Sequence, residues 1–155
     1  YRMRWSILTI ASVLALAYVM NFSGQTIAMG TYLAGLGTVY AFLAPALGWI
    51  GTAVTGSDTS ANALFSKLQV SAAENLQQAG IHGATPELML AANTTGGVVG
   101  KMISPQSLAI AATSVDMEGK ESDILKAVLP WSFAMLLFVC VLVFLQTNVL
   151  SFLVP

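Results

Sequence analysis

Residues 5–20 read WSILTIASVLALAYVM, an apolar run without a charged side chain. The uncharged stretch extends further, because no Asp, Glu, Lys, Arg or His lies between Arg4 and Asp58. A second uncharged stretch follows Lys126 and continues to the end of the sequence. A helix that crosses a bilayer needs about 20 mostly apolar residues. The first stretch therefore has room for two membrane-spanning helices, and the last has room for one.

The overall composition agrees with this pattern. Of the 155 residues, 56% are hydrophobic and 8% are charged, whereas a soluble domain carries about 25% charged residues. High hydrophobicity excludes a disordered chain, and a single cysteine, Cys140, excludes a disulfide-stapled module. Six basic and seven acidic side chains leave no basic surface for nucleic acid. A membrane protein, or part of one, remains.

The predicted fold class is all-α: a polytopic transmembrane helical bundle with broken helices or a re-entrant hairpin. Arg2, Arg4, Trp5 and Tyr18 are placed as membrane-interface anchors. The polar segment 71–87 predicts a solvated loop, with a helix beginning near Thr85-Pro86-Glu87. The spans are expected near residues 5–21, 27–50, 88–115 (broken) and 130–150, with a polar hairpin tip at 55–65.

The first polar segment is GSDTSAN, residues 56–62. Glycine permits a tight turn, and Ser57 is suited to cap a helix that begins at Asp58. Asp58 and Asn62 are four residues apart and share one helical face. One interpretation is a re-entrant tip that binds a carboxylate or a coupling ion, since an ionisable residue at membrane depth is a functional candidate. The other is an ordinary helix cap in a surface loop, and the sequence leaves both open.

The second polar segment is NTTGGVVGKMISPQS, residues 93–107. Its three glycines predict that no long regular helix forms here, and its proline removes a backbone donor. Unwound backbone is tolerated in a membrane only where it lines a cavity or is buried in protein. Lys101 could neutralise a bound carboxylate, or it could extend to the lipid headgroups. Both interpretations of Lys101 stay open.

The remaining candidates for chemistry are a lone histidine, a metal site and a catalytic nucleophile. His82 lies in a glycine-containing loop and is expected to be solvated. One histidine and one cysteine give no metal-ligand spacing, and the sequence shows no pair of a nucleophile and a general base. We therefore expect no enzyme activity, no metal and no cofactor.

The sequence contains the four segments AYVMNFSG (17–24), LGWIG (47–51), TGSDTSANALF (55–65) and AANTTGGVVGKMISPQS (91–107). Together they resemble the bacterial L-lactate permease family, which also covers glycolate permeases. The resemblance extends over almost the whole chain and corresponds to the C-terminal part of a longer permease. It implies a multi-pass transporter of the bacterial inner membrane that moves lactate, and often glycolate, with a proton.

The candidate site consists of residues from the two polar segments, 56–62 and 93–107. Both segments lie within the stretches that resemble the permease family. Helix N-termini and a lysine provide positive potential for a carboxylate, while hydroxyl and amide groups can bind a substrate hydroxyl. Asp58 is the candidate proton carrier, because burial favours the protonated form of a carboxyl group. The candidate substrate-binding residues are Ser57, Thr59, Ser60, Asn62, Asn93, Thr94, Thr95, Lys101, Ser104 and Gln106.

The expected partners are a small monocarboxylate (lactate or glycolate), a proton, membrane lipid and the missing N-terminal half of the same transporter, without nucleic acid. A homo-oligomer is left open, as are lactate versus glycolate, proton versus sodium, and the orientation in the membrane. The alternative function is a non-transporting structural subunit of a membrane complex, in which the polar breaks serve only as helix–helix contacts.

Overall fold

A computed structural model describes residues 3–153, and the side chains of residues 7, 8 and 10–152. The side chains of Arg2, Arg4 and Trp5, expected at a membrane interface, lie outside the described residues. The described part contains helices and no strand, which confirms the all-α class. The helices are α1 (Met3–Phe22), α2 (Gln25–Ala34), α3 (Thr38–Thr55), α4 (Asp58–Gln78), α5 (Pro86–Lys101), α6 (Pro105–Ser114) and α7 (Glu121–Asn148), followed by a 3-10 turn at Ser151–Leu153.

Two helices are long and apolar enough to cross a membrane by themselves. They are α3 and α7, and α7 has the higher mean hydropathy, 2.6. The pair Ile10–Phe22 and Gln25–Ala34 meets the same requirement jointly but is bent by 72° at the break between them. The described part therefore has two membrane-spanning candidates, or three if the bent pair is one broken span.

The span expected near residues 27–50 is divided between two helices. Helix α2 ends at Ala34 and α3 begins at Thr38. Gly37, with φ +60° and ψ −138°, takes a backbone conformation that residues with a Cβ rarely adopt. This glycine turns the chain inside an otherwise uniformly apolar run, and hydropathy alone gives no sign of that turn.

The segment 71–87 is also not a loop throughout. Helix α4 continues to Gln78, and its small residues Ser71 and Ala72 are buried. A Cβ on Gly30 would lie 2.9 Å from the Ser71 side chain, so α2 and α4 are in close contact here. The polar Glu74 is exposed on another face of the helix. The expected helix start near Thr85 is confirmed. Thr85 caps α5, because its Oγ1 accepts a hydrogen bond from the Leu88 amide at 3.2 Å.

Helix α5 runs unbroken through its three glycines, contrary to the sequence-based expectation. The glycines are needed for packing on α3: a Cβ on Gly96 would collide with the Pro45 carbonyl, and one on Gly100 with the Trp49 carbonyl. In return, a Cβ on Gly48 of α3 would collide with the Asn93 carbonyl. Small residues let membrane helices approach to backbone contact. Helix α5 ends only at Lys101, and Met102–Ser104 separates it from α6.

Two consecutive hydrogen bonds connect helix α7 to α3 and α5. The Trp49 Nε1–H donates to Ser132 Oγ at 2.9 Å, and the Ser132 hydroxyl donates to the Val99 carbonyl at 3.2 Å. Ser132 is fully buried. One side chain of α7 thus connects α3 with α5 and fixes the depth at which α7 packs.

We expect Gly96→Leu to destabilise the fold, because the added side chain must separate α3 from α5, and overpacking a tight interface costs about 1–3 kcal/mol or more. The detergent-solubilised protein should show a lower midpoint of thermal aggregation. Val98→Leu is the matched control, since Val98 lies on the same helix and is 61% exposed. Equal midpoints for the two variants would contradict the glycine-mediated packing.

Candidate functional site

The break between α3 and α4 is a two-residue turn at Gly56 and Ser57. Gly56 has φ +70° and ends α3 in the left-handed region. Ser57 then caps α4, because its Oγ accepts a hydrogen bond from the Ser60 amide at 3.3 Å. The predicted cap and the predicted helix start at Asp58 are therefore confirmed. The polar tip expected at 55–65 shortens to this turn, since residues 58–65 already form the first two turns of α4.

The Asp58 carboxylate is held by neutral groups. Oδ1 accepts from the Thr52 hydroxyl at 3.4 Å, and Oδ2 accepts from Asn62 Nδ2 at 3.2 Å, which confirms that Asp58 and Asn62 share a face. A Cβ on Gly97 would collide with Asp58 Oδ1, so α5 passes directly over the carboxylate. Within the described residues, the only ion pair is Lys126 with Asp123. Asp58 therefore has no cationic partner there.

A hydrogen-bonded network leads from Asp58 into the core. Asn62 Oδ1 accepts from Asn93 Nδ2 at 2.7 Å and from the Thr94 hydroxyl at 3.2 Å. Asn93 Oδ1 accepts from Gln69 Nε2 at 3.2 Å, and Gln69 Oε1 accepts from the Tyr40 hydroxyl at 2.6 Å. Gln69 and Asn93 are fully buried. Buried amides without partners are costly, so this network fixes α4 against α3 and α5.

The break between α5 and α6 meets the break between α3 and α4. The Lys101 ammonium donates to the Gly56 carbonyl and to Gln106 Oε1, the latter at 3.5 Å. A Cβ on Gly56 would lie 2.8 Å from the Gln106 side chain. Ser104 caps α6 by accepting from the Ser107 amide at 3.3 Å. Two helix N-termini and two helix C-termini are thus gathered in one region.

The site residues predicted from the sequence lie in several separate parts of the structure. Asp58, Asn62, Asn93 and Thr94 form the network, and Lys101, Ser104 and Gln106 form the junction of the two breaks. A third group, Ser57, Thr59 and Ser60, lines a cleft against α1. The structure does not bring Thr95 to any of these places.

Thr95 lies on a different side of α5. Its hydroxyl donates to the Ala91 carbonyl at 2.8 Å, and its side chain lines a largely apolar groove between α5 and α7. Thr94 and Thr95 are adjacent in sequence, so on a helix they point in directions about 100° apart. An unwound segment, as expected from the sequence, would not have imposed that separation.

The sequence interpretation missed four contributors: Tyr40, Thr52, Gln69 and Gly97. Gln69 follows Asn62 by seven residues, which places both on one face of a helix. That spacing is a usable signal once α4 is taken as continuous. Thr52 and Gly97 carry no comparable signal, because their role depends on how closely α3 and α5 approach Asp58.

The family model described as L-lactate permease matches residues 1–150. The chain belongs to the L-lactate permease family. It is 48% identical to the L-lactate permease of Bacillus subtilis (strain 168) and 45% identical to that of Escherichia coli (strain K12), each over 96% of the chain. It is 41% identical to the glycolate permease GlcA of the same Escherichia coli strain, again over 96% of the chain.

The family assignment confirms the resemblance seen in the sequence. Together with the apolar helices, it makes the chain a multi-pass membrane protein of a permease family. The chain spans about a quarter of the length of these relatives: 25% of the Bacillus subtilis permease and 26% of the two Escherichia coli permeases. No solved structure was found to match the permease chain.

We expect Gln69→Leu to destabilise the permease chain more than Tyr40→Phe. The first change leaves the Tyr40 hydroxyl, the Ala44 carbonyl and Asn93 Oδ1 without their hydrogen bonds, whereas the second removes one bond. Each buried polar group left unpaired costs about 1–3 kcal/mol. Thermal aggregation midpoints in detergent measure the difference. A smaller loss for Gln69→Leu than for Tyr40→Phe would show that the buried amide network does not hold the helices together.

Proposed function

We propose that this chain forms part of the translocation pathway of a permease of the bacterial inner membrane that carries small 2-hydroxy monocarboxylates, lactate and glycolate, together with a proton. The relatives bear these two substrate names. The observation that carries the proposal is the meeting of the two helix breaks beside Asp58, a carboxylate whose described partners are all neutral. This geometry supports a transporter rather than an enzyme.

Positive potential at the junction would attract the substrate carboxylate. The N-termini of α4 and α6 present backbone N–H groups there, and each helix end carries a partial positive charge. The Lys101 ammonium adds a full charge, and in the present arrangement only carbonyl oxygens satisfy it. A carboxylate that reached the junction could replace these neutral acceptors with a charged one, which forms a stronger hydrogen bond.

Asp58 is suited to carry the proton. When a proton binds to Asp58 Oδ1, the side chain becomes neutral, its new hydroxyl can donate to the Thr52 hydroxyl oxygen, and Oδ2 still accepts from Asn62 Nδ2. Release of that proton restores the charge without breaking an ion pair among the described residues. The proton is thus taken up and released at a single group, the Asp58 carboxyl group. The Asp58 carboxylate lies against Gly97, one turn of α5 before Lys101, so substrate and proton would occupy neighbouring positions.

We expect Asp58→Asn to abolish proton-driven accumulation of lactate, because the amide cannot take up and release the proton. The chain is tested within a permease of full length, by uptake of radiolabelled lactate into membrane vesicles with and without an imposed proton gradient. Asp123→Asn is the matched control, since Asp123 is an exposed carboxylate in the first turn of α7. Normal gradient-driven uptake by a well-expressed Asp58→Asn permease would contradict the proposed role.

We expect Lys101→Ala to raise the lactate concentration for half-maximal uptake by about tenfold, the loss that corresponds to one charge-assisted hydrogen bond. Lys126→Ala, at an exposed position, should leave it unchanged. An unchanged value for Lys101→Ala would assign this lysine to helix packing alone. If the unmodified permease takes up neither lactate nor glycolate, the structural-subunit alternative is favoured instead.

A further inference from the structure

The hydrogen bonds that connect Tyr40 with Asp58 all run in one direction. The Tyr40 hydroxyl donates to Gln69 Oε1, and Gln69 Nε2 donates to Asn93 Oδ1. Asn93 Nδ2 donates in turn to Asn62 Oδ1, and Asn62 Nδ2 donates to Asp58 Oδ2. Each of the three amides thus turns its nitrogen toward Asp58 and its oxygen away from it. We call these three side chains the amide chain.

Two groups that only accept hydrogen bonds fix this direction from opposite ends. At one end the Ala44 carbonyl accepts from Gln69 Nε2 at 3.0 Å, so the Gln69 amide keeps its nitrogen on that side. At the other end the ionised Asp58 carboxylate accepts from Asn62 Nδ2. Asn93 lies between them and has one orientation that satisfies both neighbours. Gln69 and Asn93 are 0% exposed, so bulk water does not replace a lost partner.

A proton on Asp58 Oδ2 would conflict with the amide chain. The new O–H group would face Asn62 Nδ2, so two donors would meet. If the Asn62 amide turned over, its nitrogen would face Asn93 Nδ2, and turning Asn93 as well would place its nitrogen against Gln69 Nε2. Because the Ala44 carbonyl holds Gln69, the conflict moves along the chain without being resolved. A buried donor left without an acceptor is unfavourable.

A proton on Asp58 Oδ1 meets no such conflict. Oδ1 lies 3.4 Å from the Thr52 hydroxyl oxygen and against the backbone of Gly97. A hydroxyl both donates and accepts, so Thr52 can accept from the new O–H group. Its own hydrogen can then turn to a carbonyl of its helix, as the hydroxyl of Thr55 does on the same helix. Oδ2 meanwhile keeps its hydrogen bond from Asn62.

Hydrogen bonds, rather than charges, distinguish the two oxygens of Asp58. Helix α3, which packs on the carboxylate, contains no charged residue. On α4 the next charged residue is Lys67, nine positions after Asp58. Helix α5 has Glu87 in its first turn and Lys101 in its last, and the Lys101 ammonium donates to uncharged oxygens. No ion pair of Asp58 is present among the residues that the structure describes.

We propose that Asn93 and Gln69 are positioning residues for the coupled proton. By fixing the orientation of Asn62 they keep Asp58 Oδ2 as a hydrogen-bond acceptor and direct the proton to Oδ1. This inference rests on the proposed function, in which Asp58 carries the proton. On loading, a proton from water forms the Oδ1–H bond and cancels the charge of the carboxylate, and on unloading the same bond breaks. The proton therefore binds on the side of the carboxyl group that contacts α5 at Gly97.

Infrared difference spectroscopy of a full-length permease tests which oxygen is protonated. The C=O stretch of a protonated carboxyl group moves to lower wavenumber when its carbonyl oxygen accepts a hydrogen bond. In acid-minus-alkaline spectra, the Asp58 band is the one that is lost in Asp58→Asn. With the proton on Oδ1, Asn62→Leu removes the hydrogen bond to the carbonyl oxygen and should shift the band to higher wavenumber. Thr52→Val leaves that bond in place and should shift the band less.

Asn93→Leu tests the positioning role, because the hydrogen bonds of the Asn93 side chain go to Asn62 and Gln69 and not to Asp58. Without Asn93 the Asn62 amide can turn over, so the proton can occupy either oxygen and the single band should broaden or split. Ser132→Ala is the matched control. Ser132 is also fully buried and makes two hydrogen bonds, but it lies outside the amide chain, so the band should keep its position and width.

A larger shift for Thr52→Val than for Asn62→Leu would place the proton on Oδ2 and overturn this inference, while Asp58 would remain the proton carrier. A single, unshifted band in Asn93→Leu would overturn the positioning role. If Asn93→Leu does not assemble, the comparison of Asn62→Leu with Thr52→Val still decides between the two oxygens. Absence of an Asp58 band, together with normal proton-driven lactate uptake by Asp58→Asn, would overturn both this inference and the proposed role of Asp58.

Discussion

A helix that breaks within a membrane must find partners for its own backbone carbonyls, because lipid offers none. At the end of α3 the Gly56 carbonyl obtains its partner from Lys101, the last residue of α5. The cation at the end of one broken helix thus satisfies the end of another, and it also lies at the negative end of both helix dipoles. This contact ties the two breaks together. The polar network around Asp58 depends on that arrangement, whereas the caps at Ser57 and Ser104 are local hydrogen bonds.

The close contact of α3 and α5 makes the arrangement possible. Glycines at 48, 96 and 100 let the two backbones touch, and Gly97 lets α5 pass over the Asp58 carboxylate. Between the backbones, Gln69 and Asn93 connect three helices through side-chain amides. A rigid packing layer therefore lies next to a group that is proposed to change its charge. Neutral, reorientable partners suit that task better than a fixed ion pair, whose removal leaves an uncompensated charge.

Sequence reasoning predicted what depends on local spacing. The Ser57 cap, the start of α4 at Asp58, the shared face of Asp58 and Asn62 and the start of α5 near Thr85 all follow from preferences within a few residues. It failed where the outcome depends on a second helix. The glycines of α5 look like helix breakers until α3 is placed against them, and Thr95 looks equivalent to Thr94 until the helix turns it toward α7. The turn at Gly37 has no hydropathy signal at all.

The most direct test is a structure of a full-length permease containing this chain, determined with lactate bound. The account predicts that Gly56 and Gln106 remain in contact, that both breaks lie within the bilayer, and that lactate is enclosed beside the first turn of α4. A map in which residues 57–62 and 93–106 are separated from each other and open to bulk water, with lactate bound elsewhere, would contradict it.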